Sequence, residues 1–239
     1  MVYGINLPYH GCSFFFSRIK GLKVLVLGRC VIIPAWAPDG IRDVVAIRPD
    51  DFVLCADGGF ALALRENIIP NAVIGDFDSL GKVPGDFPES CKVIQAAPEK
   101  NETDTFLCLS YGMQAGFHSF MVAGGMGGRI DHTLANLQLL AYAANHGLDM
   151  WMADANNRVT AMCPGEKRIK RILGWKLSVL AHEKACKGVT LENVKYPLRN
   201  AVLTNEFPLG ISNEFAGPEA IITLEDGLLL LFVTRDAVS

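Results

Sequence analysis

Three short acidic, glycine-rich stretches carry the residue types suited to chemistry: Gly75-Asp76-Phe77-Asp78-Ser79, Asn101-Glu102-Thr103-Asp104, and Gly124-Gly125-Met126-Gly127-Gly128-Arg129-Ile130-Asp131-His132. Each reads as following a strand, and the last two open helices. In an extended segment Asp76 and Asp78 would face one cation while Phe77 packs on the opposite side. Gly124, Gly125, Gly127 and Gly128 just before a helix make a backbone nest suited to phosphate, with Arg129 placed for a bidentate contact. Hard oxygen ligands, backbone amides and one guanidinium are the equipment of magnesium-dependent phosphoryl transfer. The glycine stretch lacks the Lys-Ser/Thr of a Walker loop and the spacing of the dinucleotide fingerprint. The plainer alternatives are an Asp/Gly surface turn at 75–79, a carboxylate complementing a helix dipole at Asp104, and a tight left-handed turn at 124–128.

The elements that would position these residues follow from hydrophobic patterning. Lys23 to Gly28, Asp51 to Ala56, Asn71 to Ile74, Lys92 to Gln95, Ser119 to Ala123 and Leu148 to Ala153 read as strands, several of them continuous apolar runs of the kind buried in parallel sheets. Helices are expected from about Phe60 to Asn67, from a cap at Asn101 or Thr103 to about Gly116, and from Asp131 to His146. Leu107, Tyr111 and Ala115 would form the buried stripe of the second helix, and Leu134, Leu137 and Ala141 that of the third. Near Asn156 the pattern changes to short β-like runs at 158–163, 175–181, 186–191, 219–224 and 228–234. The fold class is therefore α/β: an N-terminal Rossmann-like, open, mainly parallel sheet with helices over about 20–156, then a smaller C-terminal antiparallel β-sandwich or barrel over 157–239. Ligands of such sheets bind outside the strand carboxyl ends, where all three stretches would converge.

Composition bounds the function classes. The chain has 239 residues, 50% of them hydrophobic, and a net charge of −3, which argues against a nucleic-acid footprint. The one dense basic cluster, Lys167, Arg168, Lys170 and Arg171, reads as a solvated turn and strand edge. The 7 cysteines show no Cys-x-x-Cys spacing and mostly lie in apolar runs, as expected in a reducing compartment. The apolar run near Phe14 is followed rather than preceded by basic residues, the wrong order for a signal peptide, and no stretch approaches a membrane span. The expectation is a cytoplasmic protein with no membrane partner.

An ordered set of motifs resembles the thiamine pyrophosphokinase family: Ala56-Asp57-Gly58-Gly59, Gly75-Asp76-Phe77-Asp78-Ser79, Thr103-Asp104, Gly124-Gly125 with Gly128-Arg129-Ile130-Asp131-His132 and Ala135-Asn136, Tyr196-Pro197-Leu198, and Ile211-Ser212-Asn213. The resemblance covers roughly residues 23 to 234. It implies transfer of diphosphate from ATP to the hydroxyl of thiamine, giving thiamine diphosphate and AMP. It also implies Mg²⁺ held by Asp76, Asp78 and Asp104, with Arg129 among the catalytic residues. Asp57, Gly58, Gly59, Gly125, Gly128, Asp131 and His132 would line ATP, and Ser212 and Asn213 would hold thiamine. Members are homodimers with active sites between subunits. The chain departs from the family at Asn101, where aspartate is common, and after its expected first strand, where Gly28-Arg29-Cys30 stands in place of an Asn-Gly turn. The alternatives are a pyrophosphokinase for a pterin-type hydroxymethyl heterocycle and a non-catalytic nucleotide- or thiamine-binding regulator.

Overall fold

The structure, a computed structural model, describes residues 28–77, 88–97, 99 and 101–236. The N-terminal arm, residues 23–27 of the strand expected over 23–28, and Asp78 and Ser79 lie outside the described residues; Gly28 is not in a strand, and the first described strand begins at Cys30.

The strands β1 (Cys30–Ile33), β2 (Phe52–Ala56), β3 (Ala72–Gly75), β4 (Lys92–Gln95), β5 (Ser119–Ala123) and β6 (Asp149–Ala153) form a parallel array in the order β6-β5-β1-β2-β3-β4. Their residues alternate between two cores. Cys30, Ile32, Leu54, Ala56, Phe120 and Val122 face α2 (Asp104–Gln114) and α3 (Ile130–Asn145). Val31, Ile33, Val53, Cys55 and Val73 face the other way, onto α1 (Gly59–Arg65), the segment from Ala37 to Ile47, and Phe77. Both faces of this sheet are therefore covered, which explains the unbroken apolar runs in its central strands. From β1 the chain winds outward to β4, then crosses through α2 to β5 on the opposite side of β1. The strand order thus reverses between β1 and β5.

The helix stripes match the periodicity reading in part: Leu107, Tyr111 and Leu137 pack partly buried against the core and Ala141 is buried, but Ala115 and Leu134 are exposed. In α2 the buried residues are Thr105, Cys108, Leu109 and Gly112, and in α3 they are Asn136, Leu139, Leu140, Ala141 and Ala143. A Cβ at Gly112 would lie 2.6 Å from Phe120 Cε1, so the absence of a side chain lets α2 sit directly on β5. Small residues at the contact decide the packed face here, and counting large apolar residues misses them.

Beyond β6 the same sheet continues antiparallel through β7 (Asn157–Met162), β14 (Leu229–Thr234), β9 (Lys176–Ala181) and β12 (Asn213–Glu214), giving ten strands without a break at residue 156. A second sheet of 4 strands has the order β11-β10-β13-β8, from β11 (Leu198–Thr204), β10 (Ala185–Glu192), β13 (Glu219–Leu224) and β8 (Gly165–Lys170). Leu177, Val179, Leu229, Leu231 and Val233 pack across to Val189, Leu191, Ala220 and Ile222, forming the sandwich core. The expected α/β class with its C-terminal sandwich is what forms. Strand β8 was expected only as the strand edge at the basic cluster, and β11 was not expected; they are the edges of the small sheet, and β8 reads Gly-Glu-Lys-Arg-Ile-Lys with only Ile169 buried. The six described cysteines are free thiols, and burial pushes Cys30 up to about 12.

Candidate active site

Because β1 to β5 run parallel, the turns leaving them share one edge of the sheet with the first turns of α2 and α3. Asp57 ends β2 in the left-handed region at φ 43 and is only 7% exposed. Its amide donates to Ile74 O at 2.9 Å, and a Cβ at Gly75 would lie 3.0 Å from both Asp57 Cα and Cβ. Glycine at the end of β3 therefore lets the Asp57 and Asp76 turns close on each other. Gly59 meets the carbonyl of Ile33 in the same way, drawing the turn after β2 onto the turn after β1.

Asp76 is half-buried at this edge, and Phe77, at φ 60, turns its ring into the core beside α1. The segment is thus a left-handed turn at Phe77, not the extended run expected from the alternating carboxylates. The Phe77 ring is buried as expected, and the side that Asp78 would face does not follow from strand alternation. Asp104 occupies the first turn of α2, whose cap is Thr103: its Oγ1 accepts from Phe106 N at 3.2 Å. Among the described residues no group of three or more His, Cys, Asp and Glu side chains is gathered for a metal, and Asp78 is not among them. What the described residues offer Mg²⁺ is a chemically suitable donor type, the hard carboxylate oxygens of Asp57, Asp76 and Asp104, on separate turns along the same sheet edge.

The glycine loop is built from both ends. Gly124 N donates to Ala153 O and Gly125 N to Trp36 O, both at 2.7 Å, while Gly127 N donates to Thr133 Oγ1 at 3.0 Å. The buried Asn136 side chain reaches back from α3, its Nδ2 donating to Gly125 O at 2.8 Å. These hydrogen bonds hold the loop in shape up to Gly127, where the backbone passes through Gly128 into the first turn of α3. Arg129 stands at that point, exposed, with Nη2 2.6 Å from Asp131 Oδ2 and Nε 3.2 Å from Asp131 Oδ1. The hydrogen bond raises the guanidinium above its ordinary value and lowers the Asp131 carboxyl below its own. His132 is exposed beside them, and its amide donates to Asp131 Oδ1 at 3.0 Å.

The remaining pair sits elsewhere. Asn213 is 4% exposed and its side chain is fully engaged: Oδ1 accepts from Tyr196 N at 3.0 Å and Glu214 N at 2.9 Å, and Nδ2 donates to Tyr196 O at 2.7 Å. It ties β12 to the segment before β11. Ser212, at φ 56, donates its amide to Ser178 Oγ at 2.9 Å and leaves its hydroxyl on an exposed residue. Five strand spacings of about 4.8 Å, roughly 24 Å, separate β12 from β5 within the sheet. One chain therefore places Asp57, Asp76, Asp104 and the 124–132 loop along one edge of its parallel strands, and holds Ser212 and Asn213 far across the sheet.

The family model described as "Thiamin pyrophosphokinase, catalytic domain" matches residues 46–152, and "Thiamin pyrophosphokinase, vitamin B1 binding domain" matches residues 166–229. The chain belongs to the thiamin pyrophosphokinase family. A relative named thiamine pyrophosphokinase from Bacillus subtilis (strain 168) is 29% identical over 188 residues, 75% of this chain and 86% of the relative. The crystal structure of thiamine pyrophosphokinase from Bacillus subtilis superposes with a TM-score of 0.77 at 25% identity, covering 88% of this chain and 100% of that one. That of thiamin pyrophosphokinase from Geobacillus thermodenitrificans gives 0.76 at 25% identity, covering 88% and 99%. Thiamin pyrophosphokinases are ATP-dependent diphosphotransferases, and the first matched segment contains every candidate from Asp57 to His132 while the second contains Ser212 and Asn213.

Proposed function

We propose that this chain performs the thiamin pyrophosphokinase reaction at the edge formed by Asp57, Asp76, Asp104 and the Gly124-to-His132 loop, using Mg²⁺ held by Asp76, Asp78 and Asp104. The supporting observation is the convergence of these turns on the carboxyl end of one parallel sheet, beside the reversal of strand order, where α/β proteins take their ligands. The thiamine hydroxyl attacks the β-phosphorus of ATP and AMP leaves, so the protein's task is in-line positioning and neutralising phosphate charge. Bound Mg²⁺ supplies charge neutralisation at the phosphate oxygens. Arg129 adds a guanidinium at the mouth of the loop, exchanging Asp131 for a phosphate oxygen. Asp57, Gly58, Gly59, Gly125, Gly128, Asp131 and His132 line the nucleotide. Residues 20–156 serve as the catalytic part and 157–239 as the thiamine-binding part.

The acceptor side is completed by a second copy of the chain. A span of roughly 24 Å within one sheet is too long for Ser212 to reach an acceptor hydroxyl at the phosphate end. Ile130 and Leu134 lie on one face at the start of α3, 80% and 57% exposed, and Tyr196, Leu209 and Ile211 are exposed near β12. Covering such residues suits a homodimer in which Ser212 of one subunit faces the loop of the other. Asn213 acts by holding the Ser212 turn. The working compartment is the cytoplasm, in keeping with free thiols and with no described helix long and apolar enough to cross a membrane.

Incubation of the protein with ATP, Mg²⁺ and thiamine, followed by phosphorus NMR of the products, tests the reading. Equimolar AMP and thiamine diphosphate are expected. ATP binding with no AMP formed would overturn it.

A further inference from the structure

The turn after β1 was not among the residues expected to do chemistry, yet Pro34-Ala35-Trp36-Ala37 lies at the reversal of strand order between β1 and β5. Its backbone is pinned to the glycine loop. Gly125 N donates to Trp36 O at 2.7 Å, and a Cβ at Gly124 would lie 2.6 Å from both Trp36 O and Ala37 Cβ. The far side of the turn is pinned too, since Glu66 accepts from Ile41 N at 2.7 Å and from Arg42 N at 2.8 Å. The indole then lies on the loop itself. A Cβ at Gly128 would meet Trp36 Cε2 at 2.9 Å and Cδ2 at 3.0 Å, and one at Gly127 would meet Nε1 at 3.4 Å. Only glycine at position 128 accommodates the ring there, while a Cβ at 127 would touch its edge at ordinary contact distance. With one side seated on the loop, Trp36 remains 49% exposed, an uncommon state for an indole fixed at both ends of its turn.

We propose that the Trp36 indole is the platform on which the purine of the nucleotide lies, so that this residue fixes the base while the start of α3 takes the phosphates. The inference rests on the reading of this edge as the ATP site. A large aromatic face held rigid beside an anion-binding backbone suits a planar aromatic ring joined to phosphates. Purine is the ring in question because Trp36 and the phosphate-binding start of α3 belong to the same chain and meet at the glycine loop, whereas the Ser212 turn proposed to meet this loop comes from the second copy. Stacking reads the face of a base and not its edge, so the platform contributes affinity and placement rather than a choice between adenine and guanine.

Calorimetric titration of wild type, Trp36→Ala and Trp36→Phe with Mg²⁺-ATP and with Mg²⁺-tripolyphosphate, which has no base, separates stacking from support of the loop. Trp36→Ala is expected to weaken ATP binding about five- to a hundredfold while changing tripolyphosphate binding less than about twofold, and Trp36→Phe to recover most of the loss. An equal loss for both ligands would make Trp36 a support of the glycine loop and overturn the platform. Unchanged ATP affinity in Trp36→Ala, or no ATP binding by wild type, would also overturn it. Wild type that binds ATP in this pattern but makes no thiamine diphosphate would sink the reaction assigned above and leave the platform standing.

Discussion

Asp76 and Asn213 show how differently two residues of one motif set act. Asp76 sits on a turn whose fold is secured by Phe77 and Gly75, so its carboxylate is not needed for the core. Asp76→Asn is expected to lower AMP formation about a hundredfold or more, as loss of a metal ligand should. Its unfolding midpoint should stay near wild type. Near-normal turnover at low Mg²⁺ would remove Asp76 from the metal site. Asn213 is the reverse case, because its amide supplies partners to Tyr196 and Glu214 in a buried setting. Asn213→Ala is expected to cost about 1–3 kcal/mol of stability in denaturant titration. Ser212→Ala should leave stability unchanged and raise the KM for thiamine more than that for ATP; equal rises would detach Ser212 from thiamine. The Arg129–Asp131 pair keeps its charges at neutral pH. The hydrogen bond from Arg129 holds the Asp131 carboxyl below the ordinary range, so the pairing persists where a free aspartate is already protonated and is lost only as pH falls through that lowered value.

At the scale of elements, the acidic and glycine clusters were legible because they punctuate strand ends, where composition changes abruptly from apolar to polar. The helix faces were legible only in part. The buried side of α2 is chosen by Gly112 against Phe120 and Cys30, a contact between distant residues that periodicity of large side chains does not register. Gly112→Ala, an ordinary helix-favouring exchange on an exposed face, is expected here to destabilise by about 1–3 kcal/mol through overpacking. A raised thermal midpoint would show that α2 shifts freely instead. Trp36 escaped notice for a related reason. Its environment is made by the turn after β1 meeting the turn after β5, far along the chain, and the one local signal was Pro34 ending the apolar run at Val31 to Ile33. Strand β8 is hidden by its charges beyond the strand edge read at Lys167 to Arg171, and β11 by the partial or full exposure of most of its residues, since an edge strand with one solvated face need not look apolar.

At the scale of the whole molecule, the homodimer proposed from the separation between the Asp76 turn and the Ser212 turn would make assembly part of the active site. Asp76→Asn alone and Ser212→Trp alone should each be nearly inactive. Mixed and allowed to exchange subunits, they should recover about a quarter of wild-type activity, because about half of the dimers are mixed and each of these keeps one intact site. No recovery after exchange, shown by mass-tagged subunits, would place both residues in one chain's site. The fold class was legible from the shift in patterning near Asn156, but the patterning gave no sign that β6 and β7 hydrogen-bond across that point.

That continuity has a consequence for how the protein can come apart. A chain ending at Ala153 would expose β6 as a bare edge with its amides and carbonyls unpaired, while a chain beginning at Asn157 would do the same to β7. α3, which packs on both strands, would lose half of its seat. The two parts are thus joined in the manner of planks in one floor, so their unfolding is coupled. A destabilising mutation among the strands after β6 is therefore expected to lower the stability of the parallel strands as well, even where no side chain at their loop edge has changed.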